Sequence, residues 1–142
     1  MTSIAQLLAE SRIIAVVGLS TNSGRSSHQI AEYLQEQSYR IVPVNPTYAG
    51  QHILGQRCYA TLTEAAAAVA PERIDIVDCF RKSEDIFPIA QEAVQIKAGC
   101  LWMQLDVVNQ AAADLAAGAG LAVVMDRCLR VEHASLLRAT QS

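Results

Sequence analysis

The chain has 142 residues, of which 51% are hydrophobic and 18% charged, with a formal net charge of −3. That length suits one domain covering residues 1–142 with a sizeable buried core, and the composition excludes a disordered or fibrous chain. No apolar run approaches the roughly 18 residues of a membrane span. The start MTSIAQLLAESR has neither a basic region nor a cleavage site, and an acidic balance argues against a broad nucleic-acid surface, so a cytoplasmic protein without membrane or nucleic-acid partners is expected.

Residues 3–10 read as a short amphipathic helix, with Ile4, Leu7 and Leu8 on one side and Ser3 or Thr2 as cap. Ile13 to Val17 is a continuous apolar run of the kind found in a central parallel strand, and after a Gly/Ser-rich turn Ile30, Ala31 and Leu34 fall at helical spacing. Such a strand, turn and helix presents backbone N–H groups and the positive end of a helix dipole to a phosphate. Arg40 to Val44 predicts a second strand, near an edge because Pro43 cannot donate to a ladder. It ends in the turn Asn45 to Gly50, and Ile53 to Gly55 is a small extra strand or turn. Thr63 to Ala70 predicts an alanine-rich helix stopped by Pro71, and Ile74 to Asp78 a strand. A helix starting near Ser83 or Asp85 places Pro88 in its first turn, where a missing N–H costs nothing. Cys100 to Leu105 reads as a strand, with Trp102 and Gln104 on one face and Leu101, Met103 and Leu105 on the other. A helix over Asn109 to Ala117, a strand over Leu121 to Met125 and a helix over Glu132 to Ala139 complete the chain. Five strands alternating with helices predict an α/β, Rossmann-like doubly wound fold, a mostly parallel sheet with helices on both faces.

Two familiar phosphate motifs fail in detail. In a G-x-G-x-x-G fingerprint the second glycine admits the pyrophosphate, but Ser20 stands there. The acid that would hold the ribose of NAD is replaced by Asn45, followed by Pro46. As a G-x-x-x-x-G-K-[ST] loop, the run from Gly18 has one residue too many between its glycines, and Arg25 stands where the lysine belongs. The four cysteines, Cys58, Cys79, Cys100 and Cys128, form no C-x-x-C pair and predict free thiols and no metal site. Asp126, Cys128 and His133 can be imagined as a catalytic thiol set, but a strand-to-helix connection with Asp126 and Glu132 as turn or cap residues is the more ordinary reading. No catalytic residue is assigned.

Ligands of such sheets bind beyond the carboxyl ends of the strands. That rule gathers Gly18 to Ser26, Asn45 to Gly50, Asp78 to Ser83, Trp102 to Asp106 and Asp126 to Leu129 onto one rim, with Arg25, Arg81 and Lys82 as cations for a phosphate-rich ligand.

The runs AVVGLS (Ala15 to Ser20), VPVNP (Val42 to Pro46), DIVDCFR (Asp75 to Arg81), LWMQL (Leu101 to Leu105) and VVMDRC (Val123 to Cys128), the last followed by Glu132 and His133, span most of the chain in order. In them the chain resembles the small stand-alone CoA-binding domain proteins, similar in turn to the CoA-binding domain of the succinyl-CoA synthetase α subunit. The resemblance implies a non-catalytic protein binding coenzyme A or an acyl-CoA, a small-molecule partner. Gly18, Leu19 and Ser20 would sit on the pyrophosphate, with Arg25 and Ser26 at the head of the next helix. Val44, Asn45 and Pro46 would line the adenosine side, Asp78, Cys79, Phe80 and Arg81 would close over the nucleotide, and Trp102 and Gln104 would lie toward the pantetheine arm. The synthetase's phosphohistidine belongs to a region this chain lacks. Three positions depart from the pattern: Thr47 replaces a frequent lysine, Asp106 a usual glycine and Leu129 a usual proline. If the glycine position requires a positive φ, Asp is among the few residues that tolerate it. The alternative is an enzyme acting on an acyl-CoA or a nicotinamide dinucleotide.

Overall fold

The computed structural model describes residues 3–141. Its main sheet has five parallel strands in the order β2-β1-β5-β6-β7: β1 (Ile13–Val17), β2 (Arg40–Val44), β5 (Ile76–Cys79), β6 (Cys100–Met103) and β7 (Ala122–Val124). A two-stranded antiparallel hairpin, β3 (His52–Ile53) and β4 (Gln56–Arg57), follows a 3-10 turn, Pro46–Tyr48. Strand β2 is at the edge, as Pro43 requires. There the Pro43 carbonyl accepts from the Tyr59 N–H at 3.0 Å, and the segment after the hairpin bridges to β2 through Val44 and Tyr59.

The alternation of strand side chains creates two cores. Ala15, Val17, Val42, Val44, Val77, Cys79, Leu101 and Met103 face α3 (Leu62–Val69), α4 (Ile86–Gln95) and α5 (Gln110–Gly118). Ile14, Val16, Ile41, Ile76, Cys100 and Trp102 face Leu8 of α1 (Ile4–Glu10), Ile30, Ala31 and Leu34 of α2 (Ser26–Glu36), and Leu129 of α6 (Leu129–Gln141). All five residues of β1 are buried, which is why that strand reads as an unbroken apolar run. The fold is the expected Rossmann-like doubly wound α/β arrangement.

Several boundaries move. Ser3 caps α1 by accepting from the Gln6 N–H; Thr2, the other candidate cap, lies outside the described residues. Thr61 caps α3, so that helix begins one residue early. Strand β5 runs to Cys79 rather than stopping at Asp78, and β6 stops at Met103 because the chain turns at Gln104, whose carbonyl accepts from the Val107 N–H. Helix α4 is preceded by a single 3-10 turn, Ser83–Asp85, which accounts for both candidate starts. Helix α6 begins three residues before Glu132. Leu129, fully buried in its first turn, anchors it, and Glu132, read from the sequence as a turn or cap residue, lies inside the helix and pairs with Arg127 at 2.8 Å.

Candidate functional site

The chain leaves β1 toward β2 on one side and later enters β5 on the other, which opens a crevice between the carboxyl ends of β1 and β5. Gly18 follows β1 there with φ +89°, its N–H donating to the Val44 carbonyl at 2.8 Å, while the Phe80 N–H donates to the Val17 carbonyl at 2.8 Å. A Cβ on residue 18 would run into the Phe80 carbonyl oxygen. Glycine is therefore required by the protein's own backbone, whatever a ligand adds.

Beyond the crevice lies a cavity of about 820 Å³. It draws walls from all five rim segments: Gly18, Ser20, Arg25 and Ser26; Asn45, Thr47 and Tyr48; Phe80, Arg81 and Lys82; Gln104 to Val107; and Cys128. The loop before α2 is held by its own side chains. Ser20 N–H donates to Ser27 Oγ at 3.1 Å, Asn22 N–H to Ser20 Oγ at 3.0 Å and Gly24 N–H to Asn22 Oδ1 at 2.8 Å. Those amides are consequently engaged within the loop. No side chain caps the N-terminus of α2, so its first-turn N–H groups, beside cavity-lining Ser26 and Ser27, carry the anion-binding capacity of this end.

Asn45 is buried and committed to architecture. Its Nδ2 donates to the Leu19 carbonyl at 3.0 Å, and its Oδ1 accepts from the Thr47 N–H at 3.0 Å and from Arg81 at 3.3 Å. Arg81 is thereby fixed across the crevice. Among the described residues no carboxylate forms an ion pair with Arg25, Arg81 or Lys82, and Asp85 and Asp106 are the acidic residues on the same wall. The balance at this rim is cationic on an acidic protein.

Other expected site residues sit elsewhere. Val44 and Pro46 line a smaller cavity of about 420 Å³ on the α3–α4 side, which shares Thr47, Arg81 and Asp85 with the larger one. Leu19, Asp78, Cys79 and Trp102 are fully buried and line neither cavity. Leu19 anchors the loop in the α2 core, Cys79 faces the opposite core, and Trp102 donates from Nε1 to the Arg127 carbonyl at 2.7 Å. Trp102 lies on the α2 side of the sheet, Leu101 and Met103 on the other, as alternation predicts.

Asp78 occupies the middle of the sheet, between Val16 and Trp102. Burial raises its pKa from 3.8 to about 7, against the lowering effect of the hydrogen bond from Gln104. Burial raises Cys79 well above the ordinary thiol value and Cys100 to about 12, each with a contribution from Asp78, and raises Cys58 as well. All four cysteines are unpaired, Cys128 alone being partly exposed. His133 is bound elsewhere: its Nδ1 is 2.9 Å from Tyr33 Oη, its ring stands edge-on to Tyr33 and Tyr39, and burial lowers its pKa. Asp126 Oδ1 accepts from the Asp106 N–H at 2.7 Å. Among the described residues no hydrogen bond joins Cys128 to either, and no group of three or more His, Cys, Asp or Glu could hold a metal ion. No helix among them is long and apolar enough to cross a membrane.

Sequence reasoning passed over Ser27, Ile30, Asp85 and Val107 as cavity residues. Val107 lies one residue beyond the rim segment Trp102 to Asp106, so the carboxyl-edge rule, extended by a residue, would have found it. Asp106 has φ +70°, so the glycine-like backbone is present and Asp fills it.

A family model described as a CoA binding domain matches residues 12–134. An uncharacterised protein of Bacillus subtilis strain 168, YneT, is 37% identical over 131 residues, 92% of each chain. A solved structure from Thermus thermophilus, cell-free ID.343, superposes with a TM-score of 0.83 at 33% identity, covering 92% of this chain and 93% of that one. A hypothetical protein from Pyrococcus horikoshii OT3 superposes with a TM-score of 0.85 at 33% identity, covering 94% and 89%. With a matched core from before β1 to within α6, the chain belongs to the CoA binding domain family.

Proposed function

We propose that this protein binds coenzyme A, free or acylated, at the carboxyl edge of its sheet and catalyses no reaction of its own. The observation that carries this reading is the cavity at the β1/β5 crevice, whose lining combines Arg25, Arg81 and Lys82 with an uncapped helix N-terminus. Phosphates belong at Gly18, Ser20, Arg25 and Ser26. Asn45, Val44 and Pro46 border the adenosine, and Phe80 and Arg81 close the crevice above it. The apolar lip formed by Leu105 and Val107 suits the methylene-rich pantetheine arm, with Gln104 beside it. Leu19, Asp78, Cys79 and Trp102 support the site from beneath, since their side chains are buried. The family match supports the same ligand.

The engagement of His133 with Tyr33, and of Asp126 with Asp106, leaves Cys128 without a base, which favours binding over nucleophilic catalysis. Mass spectrometry of ligand released from gently purified protein, with calorimetry on the emptied protein, tests the reading. CoA or an acyl-CoA in the released fraction and CoA binding by the emptied protein are expected. Absence of CoA binding would overturn the ligand, and acyl-CoA turnover lost on Cys128→Ser or His133→Ala would overturn the non-catalytic role.

A further inference from the structure

Gln104 has an amide whose two halves lie in different surroundings. The residue lines the cavity yet is only 5% exposed. Its Nε2 donates to Asp78 Oδ1 at 2.6 Å. Asp78 is fully buried, and its Oδ2 is the buried side-chain polar atom left without a partner among the described residues. Above the value of about 7 to which burial raises it, Asp78 is a carboxylate and only accepts hydrogen bonds, so in that state this contact decides which way the amide points: Nε2 inward, Oε1 on the opposite branch of the planar group. Oε1 has no hydrogen bond within the protein and is not a buried orphan, which leaves it bordering the cavity.

An apolar residue would fill position 78 without the cost of burying a charge. What the carboxylate adds is a fixed direction for the neighbouring amide.

We propose that Asp78 is a positioning residue that holds Gln104 with its carbonyl oxygen toward the cavity, so that this part of the wall selects a ligand presenting an N–H donor there. The inference rests on the CoA reading, in which the donor is an amide N–H of the pantetheine arm. Leu105 and Val107 flank Gln104 on the wall, and an arm drawn out of water between apolar side chains needs partners for its amides. Gln104 Oε1 supplies one.

The test is calorimetry at pH 8, where Asp78 is ionised, with CoA and with adenosine 3′,5′-bisphosphate, which has phosphates and adenosine but no arm. Gln104→Leu is expected to weaken CoA about tenfold, the scale of one lost hydrogen bond, while leaving the bisphosphate unchanged. Asp78→Leu should give the same selective loss, and Asp78→Leu with Gln104→Leu no more than Gln104→Leu alone. Asp78→Asn, whose amide can donate to Gln104 Oε1 as readily as accept from Nε2, no longer fixes the direction and should weaken CoA by less than Asp78→Leu while leaving the bisphosphate unchanged.

The proposal is overturned if Gln104→Leu leaves CoA binding intact, if both ligands weaken equally, or if Asp78→Leu costs as much in the Gln104→Leu background as in the parent. Should Asp78→Leu not fold, Gln104→Leu and Asp78→Asn decide the matter through the same two ligands. A parent that binds neither ligand overturns the CoA reading itself, whereas a parent that binds both with no selective loss in the variants overturns the positioning role alone.

Discussion

At the β1–α2 end of the cavity a ligand would meet backbone and cations; at the β6 end it would meet an amide bonded to a buried carboxyl group. The first end is rigid because its parts are bonded into the fold. Gly18 is wedged between the ends of β2 and β5, Asn45 ties Leu19 to Arg81, and the loop closes on its own serines and Asn22. The second end depends on one hydrogen bond, from Gln104 to an Asp78 that the surrounding core disfavours in its charged form. Tolerance follows from this difference: damage at the first end appears in folding as well as affinity, whereas loss of the Gln104 amide at the second appears in selectivity.

The buried carboxyl group gives the largest expected effect. Moving its pKa from 3.8 to about 7 corresponds to about 4 kcal/mol at most against the ionised form. Between those two values the folded state holds a proton that the unfolded chain has released, so this group makes stability fall as pH rises from about 4 to about 7, with no further loss above. Denaturant unfolding across that range should show the fall in the parent and a flat contribution in Asp78→Asn, leaving the variant the more stable at pH 8. A parent profile no steeper than the variant's would mean that Asp78 is better solvated than its burial indicates.

Gly18→Val comes next, with a stability loss on the order of 3 kcal/mol. A β-branched residue at positive φ is strained, and its Cβ meets the Phe80 carbonyl. Thermal unfolding is the measurement, and an unchanged midpoint would show that the crevice can open. Replacing Arg25 or Arg81 by Ala should cost about 1–3 kcal/mol of CoA affinity each, through lost charge-assisted hydrogen bonds. In contrast to substitution at Gln104, the loss should fall equally on the bisphosphate and diminish as salt rises. A double Arg variant that binds CoA like the parent would move the phosphates away from this end.

Legibility in the sequence follows the same division. The strands were readable because burial on both faces leaves continuous apolar runs, and the β1–α2 end was readable because glycine and arginine mark backbone geometry and charge wherever they occur. Knowing that ligands gather at strand carboxyl ends then brought the five rim segments together. The β6 end was less readable, since Asp78 and Gln104 meet across neighbouring strands, 26 residues apart. A sequence gives no sign that one lies beneath the cavity and the other on its wall. The same limit hid the start of α6, where a buried Leu129 begins the helix, and the place of Trp102, whose indole bonds the Arg127 carbonyl from within the core and does not line the cavity.

The smallest expected effect separates CoA from the nicotinamide dinucleotides, and it joins the two ends. A dinucleotide site needs a carboxylate for the paired ribose hydroxyls. Here Asn45 stands at that position with its amide and carbonyl already bonded to Leu19, Thr47 and Arg81. Redirecting Asn45 toward a ribose would release Arg81, so the cationic end cannot gain dinucleotide contacts without losing phosphate contacts. CoA should therefore bind at least about tenfold more tightly than NAD or NADP, or about 1.4 kcal/mol, and free CoA should compete closely with a short acyl-CoA because Gln104 contacts the arm rather than the thioester. Competition calorimetry reads both comparisons. Displacement of CoA by NAD at equal concentration would show that the bonds of Asn45 yield to a ligand, and the β1–α2 end would then be the adaptable one.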